Sequence, residues 1–209
     1  MLEASWFIFT IASLLLIATP GQDMILVMSR SVAQGPKAGV VTAAGVSVGL
    51  VGHTVLATLG FGAVLRTSEL LFVALKLIGA AYLIYLAIGL LRTPGAELLV
   101  HGASTRSTRR LFLDGALSNL ANPKIAIFYF AFLPQFVAPG AGQPTLTIFA
   151  LGVAFAGLTF LVKGPVGLFA GLLSRWLRAN PRFLVWLYRC SGAALLALGI
   201  RLAFERSDG

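Results

Sequence analysis

Negative charge is scarce in this sequence: 7 Asp and Glu stand among 209 residues, against 16 Lys and Arg. Charged residues of both signs amount to 11% and hydrophobic residues to 58%. A soluble domain carries about a quarter charged residues, so an ordinary water-soluble globule is excluded. The single cysteine, Cys190, excludes an internal disulfide framework and any cysteine-based metal cluster. Two histidines, His53 and His101, make a poor metal site. A haem subunit wants paired histidines within apolar spans, and only His53 lies in one. With so few carboxylates, hydrolytic chemistry lacks its usual paired acids or a nucleophile beside a base. No cofactor or metal is called for, and an enzyme is a remote alternative.

What the chain has instead is apolar length. Residues 38–65 and 125–162 contain no Asp, Glu, Lys or Arg, and about 20 apolar residues cross a bilayer. Pro134, Pro139, Gly140, Gly142 and Pro144 mark a turn inside the second of these runs. We predict an all-α membrane protein, one transmembrane domain over 1–209, with six spans near 6–28, 38–65, 70–91, 111–137, 146–173 and 183–204. The first run begins with Glu3 and holds no basic residue before Arg30, unlike a cleaved signal peptide. Residues 92–110, rich in Ser, Thr and Arg, read as a polar loop.

The net charge of +9 need not mean nucleic acid, because the basic residues sit mostly between apolar runs. Arg30 and Lys37, Arg92, Arg106, Arg109 and Arg110, and Arg175, Arg178 and Arg182 fall in the first, third and fifth loops. The opposite side holds Arg66, Arg206 and Arg201. Basic loops stay cytoplasmic, so both termini are expected outside the cytoplasm.

The two halves resemble one another. "ATPGQDMILV" begins at Ala18 and "ANPKIAIFYF" at Ala121; "KLIGAAYLIYLAIGL" begins at Lys76 and "RCSGAALLALGI" at Arg189. His53 and Lys163 are related by an intermediate offset. Three spans per half is an odd number, so the halves, near 2–91 and 108–204, are expected to be inverted, as in many secondary transporters.

Both "TPGQ" and "NPK" spell a helix start inside a span. Thr19 is an N-cap residue type, Pro20 suits the first helical position, and Gln22 completes a capping box. Asn122 and Pro123 repeat the pattern. Each break is expected near mid-membrane, where exposed backbone is tolerated only against protein or a water-filled cavity. A half-helix start presents free N–H groups and partial positive charge. Two of them meeting would suit a carboxylate, so Thr19, Pro20, Gly21, Gln22, Asn122, Pro123 and Lys124 are candidate substrate-binding residues.

Asp23 follows the first break. An acid at mid-depth costs about 2.5–3.5 kcal/mol on insertion scales, more than the roughly 0.3–1 kcal/mol that a helix dipole returns. A substrate-binding and proton-coupling role is the natural reading. Lys124 opposes the dipole of its half-helix and is expected to partner Asp23 or a substrate carboxylate. His53 is either a cavity residue or a hydrogen-bonded packing residue. Lys163, beside Gly164 and Pro165, either joins the cavity or reaches the surface; Tyr82 is core or cavity. Lys76 and Arg189 are expected to snorkel. Gly45, Gly49 and Gly52 form a small-residue face for close helix packing that allows a homodimer.

"ATPGQDMILVMSRSVAQGPKAG", "AAGVSVGLVGHTVLATLG", "LKLIGAAYLIYLAIGLLR" and "NPKIAIFYFAFLPQF" together resemble the LysE/RhtB family of bacterial amino-acid exporters, over nearly the whole chain and in order. The resemblance implies proton-driven efflux of amino acids or derivatives across the inner membrane. Members typically read Thr-Pro-Gly-Pro; here Gln22 replaces the last proline and adds an amide at the break. A cation, metal or other small-solute effluxer is the alternative within transport.

Overall fold

The computed structural model describes residues 5–67, 69–93, 105–137 and 142–204; the side chains at 61–73, 75–76, 123–124, 174 and 178 lie outside the described residues. The predicted polar loop therefore falls mostly outside them. The described residues form nine α-helices and no β-strand: α1 (Trp6–Ala18), α2 (Gln22–Gln34), α3 (Pro36–Thr67), α4 (Glu69–Arg92), α5 (Thr108–Leu120), α6 (Pro123–Phe132), α7 (Pro144–Leu168), α8 (Ala170–Ala179) and α9 (Pro181–Phe204). A 3-10 turn, Leu133–Phe136, follows α6.

Prolines set most of the starts. Pro36, Pro123, Pro144 and Pro181 each open a helix, where the missing N–H costs nothing. Gly35 closes α2 with φ of 88°, in the left-handed region that favours glycine. That lets α3 turn back along α2 with no intervening loop.

Three stretches are single helices apolar and long enough to cross a bilayer: Pro36–Gly60, Pro144–Leu168 and Pro181–Phe204. A fourth is the pair α1 and α2, bent by 53° at the residues between them. The remaining two predicted spans correspond to shorter apolar pieces, Leu77–Arg92 in α4 and Ile125–Phe136 beyond the second break. The predicted fifth span, 146–173, needs correction at its end. Pro165 lies inside α7 and removes a helical donor; the helix stops at Leu168, and α8 starts separately. This short helix carries Arg175 and the half-exposed Trp176 beside buried Ala170 and Leu177, the composition of a helix lying at a membrane interface.

Helix directions follow from close approaches. Gly39 meets Gly167 while Gly152 meets Thr54, so α3 and α7 run antiparallel. Gly192 meets Ala87 and Leu91 while Gly199 meets Ala80 and Ile84, so α4 and α9 are antiparallel. Gly45 sits on the Phe112 carbonyl and Gly49 on that of Ala116, so α3 and α5 run parallel. The predicted glycine face on α3 is thus covered by α5 of the same chain, and offers no surface to a second copy.

One end of the bundle joins the start of α1 to the turn after α6 through Ser5 N–H donating to the Phe136 carbonyl, 3.0 Å. The other end joins α2 to α5. There the Gln34 amide donates to the Arg106 carbonyl (2.8 Å) and accepts from the Arg106 N–H (2.7 Å). Asp114 accepts from Arg30 (3.2 Å) and Arg110 (3.1 Å) at this same end. The apolar core between them is built on Phe9, Phe128, Phe132, Phe136, Phe155, Leu83 and Leu195.

Candidate functional site

The site grows out of the first break. Pro20 has no N–H for the Leu16 carbonyl, so the helix cannot continue through it. Thr19 closes α1 instead: its N–H reaches the Leu15 and Leu16 carbonyls, and its hydroxyl donates to the Leu15 carbonyl at 2.8 Å. The predicted capping box is therefore not formed. α2 starts at Gln22 with extended Gly21 as its N-cap and no side-chain cap bond. A capping hydroxyl must face forward, and that of Thr19 is already held by the turn behind it.

Helix α9 covers this exposed backbone. Ser191 Oγ donates to the Leu15 carbonyl (2.9 Å) and lies against the Thr19 hydroxyl, and Tyr188 OH donates to the Pro20 carbonyl at 3.1 Å. These are the protein partners that broken backbone needs inside a membrane.

Asp23, the second residue of α2, is buried, with 8% of its surface exposed. Its Oδ2 accepts from Asn119 Nδ2 at 2.8 Å and from Lys163 Nζ at 3.2 Å. Asn119 is fully buried, and Lys163 is 8% exposed. Lys163 therefore does not reach the surface: from near the end of α7 its side chain reaches the acid. Asp23 Oδ1 is buried and has no hydrogen-bond partner among the described residues.

Asn119 also links the group to α3. His53 Nε2 lies 3.0 Å from the Asn119 carbonyl. A carbonyl only accepts, so Nε2 carries the proton and Nδ1 is left as the other ring nitrogen; Nδ1 has no partner among the described residues. The His53 ring lies 6.0 Å from that of Tyr129. Four helices, α2, α5, α7 and α3, thus contribute Asp23, Asn119, Lys163 and His53 to one connected buried polar group.

The second break lies alongside. Helix α5 ends at Leu120, Asn122 precedes Pro123 at the start of α6, and the Asn122 amide donates to Gln22 Oε1 at 3.3 Å. So the residues beside the two breaks are in contact. Among the candidates, Thr19, Pro20, Gly21, Gln22, Asp23 and Asn122 come together there, with Lys163 and, through Asn119, His53. Lys124 was expected to partner Asp23 or a substrate carboxylate; its side chain and that of Pro123 lie outside the described residues, and the cation seen on Asp23 is Lys163. Tyr82 is elsewhere, on α4, its ring 6.3 Å from that of Tyr85.

Asn119, Tyr188 and Ser191 were not singled out in the sequence. Asn119 alone carried a signal, a polar amide three residues before the "NPK" break. Among the described residues no three His, Cys, Asp or Glu gather as a metal site would need.

Buried charge beside a helix break, inside a bundle of apolar helices, is the kind of feature that marks solute pathways in membrane proteins. The chain belongs to the LysE family: the model described as "LysE type translocator" matches residues 14–206. It is 35% identical to the homoserine/homoserine lactone efflux protein of Salmonella typhimurium, across 96% of this chain and 97% of that protein. It is 31% identical to an uncharacterized membrane protein of Bacillus subtilis, over 90% and 92%. The leucine efflux protein of Salmonella choleraesuis is 28% identical over 76% and 77%. No solved structure matches the chain.

Proposed function

We propose that this protein exports amino acids or their derivatives across the bacterial inner membrane, in exchange for protons. The observation that carries the reading is the buried Asp23–Lys163 pair, held by Asn119 beside two meeting helix breaks. A buried ion pair is no economical way to hold helices together: apolar side chains of similar volume often do as well or better. Its presence beside an uncapped half-helix points to work on a charged solute. The relatives named for homoserine and for leucine efflux support an amino acid as that solute.

The reading takes α1–α2, α3 and α4 as one half and α5–α6, α7 and α9 as its inverted counterpart. Corresponding helices, α3 with α7 and α4 with α9, pack antiparallel, which supports the inverted repeat and six passes. The end carrying Arg30, Arg106 and Arg110 is cytoplasmic, and both termini lie outside. In this reading the half-helix starts at residues 19–22 and 122–124 face the substrate, and Asp23 takes the substrate ammonium or a proton in turn. Proton and substrate compete for one carboxylate, which couples inward proton flow to outward solute flow.

The test is efflux of labelled homoserine, threonine, leucine and lysine from loaded cells, with and without an uncoupler. Efflux that depends on the protein and falls with the uncoupler is the expected result. Efflux unchanged by removing the protein counts against export, and efflux indifferent to the uncoupler counts against proton coupling.

A further inference from the structure

We propose that Asp23 and Lys163 are a zwitterion clasp, closed on itself in this structure and opened by a substrate whose ammonium takes Asp23 and whose carboxylate takes Lys163. The proposal rests on the exporter reading and names what that site recognises: a free α-ammonium and a free α-carboxylate together.

Three observations point there. The pair is made through one oxygen only, Asp23 Oδ2 to Lys163 Nζ at 3.2 Å, while the buried Oδ1 has no donor. A carboxylate has capacity on both oxygens, so Oδ1 is a ready acceptor for a second cationic group. Lys163 has three donors, and Asp23 is its one hydrogen-bond partner among the described residues. An arriving carboxylate thus finds unused donors on Lys163. Finally, Asn119 anchors the two charges unequally. Its side-chain amide donates to Oδ2 of Asp23, and its backbone carbonyl accepts from His53, so the residue that holds the acid is itself tied to α3. Lys163 sits at the end of a flexible four-carbon stem and can withdraw along α7.

The exchange is balanced in charge. One buried ion pair becomes two, Asp23 with the substrate ammonium and Lys163 with the substrate carboxylate, and no charge is left unpaired. A ligand with an ammonium but no carboxylate does worse. It displaces Lys163 from Asp23 and leaves a buried ammonium without a partner, which costs far more than a lost surface contact. Lys163 is therefore a specificity-determining residue, discriminating an amino acid from its carboxyl-blocked analogue. The same reasoning makes Lys163→Gln a relaxing change, because an amide carries no charge to strand.

The experiment uses the full-length protein purified and reconstituted in vesicles, reading counterflow of labelled leucine and homoserine. Each is competed by the unlabelled amino acid and by its methyl ester. In the unaltered protein the amino acid is expected to compete at least about tenfold better than the ester, the scale of one hydrogen bond to a charged group. In Lys163→Gln the ratio is expected to fall to near one, and in Lys163→Arg to stay high. If Lys163 only neutralises Asp23, its loss weakens amino acid and ester alike, and an unchanged ratio in Lys163→Gln overturns the clasp. The double variant Asp23→Asn with Lys163→Gln leaves no stranded charge and serves if the single one fails to fold. A retained amino-acid preference there overturns the clasp equally. If the unaltered protein moves neither leucine, homoserine nor any other amino acid tried, the exporter reading fails and the clasp with it.

Discussion

At the scale of single residues, Asp23 sets the character of the site: it is buried and takes Asn119 and Lys163 on one oxygen. Asp23 stood out because a carboxylate in an apolar run has an energetic cost that needs an explanation. Its partners lie 96 and 140 positions away along the chain, and no local pattern encodes such pairings. Proximity to a break pointed to Lys124, whose side chain lies outside the described residues; nothing local pointed to Lys163, which α7 carries to the acid. The proton-coupling role predicts that Asp23→Asn loses gradient-driven export while retaining exchange of substrate down its own gradient. Vesicles with an imposed pH gradient decide it: stimulation by the gradient in folded Asp23→Asn rules the role out. The covering of the break is a separate matter. Tyr188→Phe strips the Pro20 carbonyl of its donor, and an unsatisfied buried group costs about 1–3 kcal/mol. A lower unfolding temperature in detergent, with the amino-acid-to-ester preference intact, is the expected outcome.

At the scale of elements, span starts fall within about three residues of those predicted, and the ends that miss are those of the first and fifth spans. Proline at a first position is a local event, so the starts at Pro36, Pro123, Pro144 and Pro181 follow from the chain itself. Which side of a break a hydroxyl serves is not local. Thr19 reads as a forward cap, but Ser191 and the Leu15 carbonyl hold it backwards. The end of α7 at Leu168 hid inside a continuous apolar run, so α8 was merged with its neighbour. The glycines of α3 were read as a packing face, which they are, though the face belongs to α5. A Cβ on Gly45 would lie 2.1 Å from the Phe112 carbonyl oxygen. Gly45→Ala is therefore expected to push α3 and α5 apart, at an overpacking cost of about 1–3 kcal/mol. Gly157, inside α7 with nothing within 4 Å of a Cβ, is the control. Gly157→Ala should be neutral or stabilise by up to about 1 kcal/mol, and thermal unfolding of the two proteins in detergent compares them. Equal midpoints would show that the α3–α5 approach is not tight in the membrane protein as it exists.

At the scale of the whole molecule, the ordering of charges along the chain and the directions of the helices tell one story. The helix directions alternate, and Arg30, Arg106, Arg110 and α8 gather at one end. Reporter fusions after Gly95 and at Gly209 are expected to report opposite sides of the membrane, the first cytoplasmic; matching signals would sink the topology. That basic end is also where the two halves are tied. Gln34 and Arg106 exchange two hydrogen bonds, and Asp114 bridges Arg30 of one half to Arg110 of the other. If the halves rock about a central site, these contacts must open before cytoplasmic substrate reaches Asp23. None of them is strong enough to lock the end permanently, since partly exposed pairs contribute about 0–1 kcal/mol each. A gate held by several weak polar contacts opens on the time scale of a transport cycle, whereas an apolar seal of the same area would resist water entry. The contact is thus expected to be reversible, and fixing it should stop transport. With Cys190 replaced by serine, cysteines at positions 34 and 106 joined by a short bifunctional thiol reagent should abolish efflux, and a reducible version of the reagent should restore it on reduction. Full efflux with the cross-link in place would mean that substrate enters elsewhere, and that this end of the bundle is a fixed brace rather than a gate.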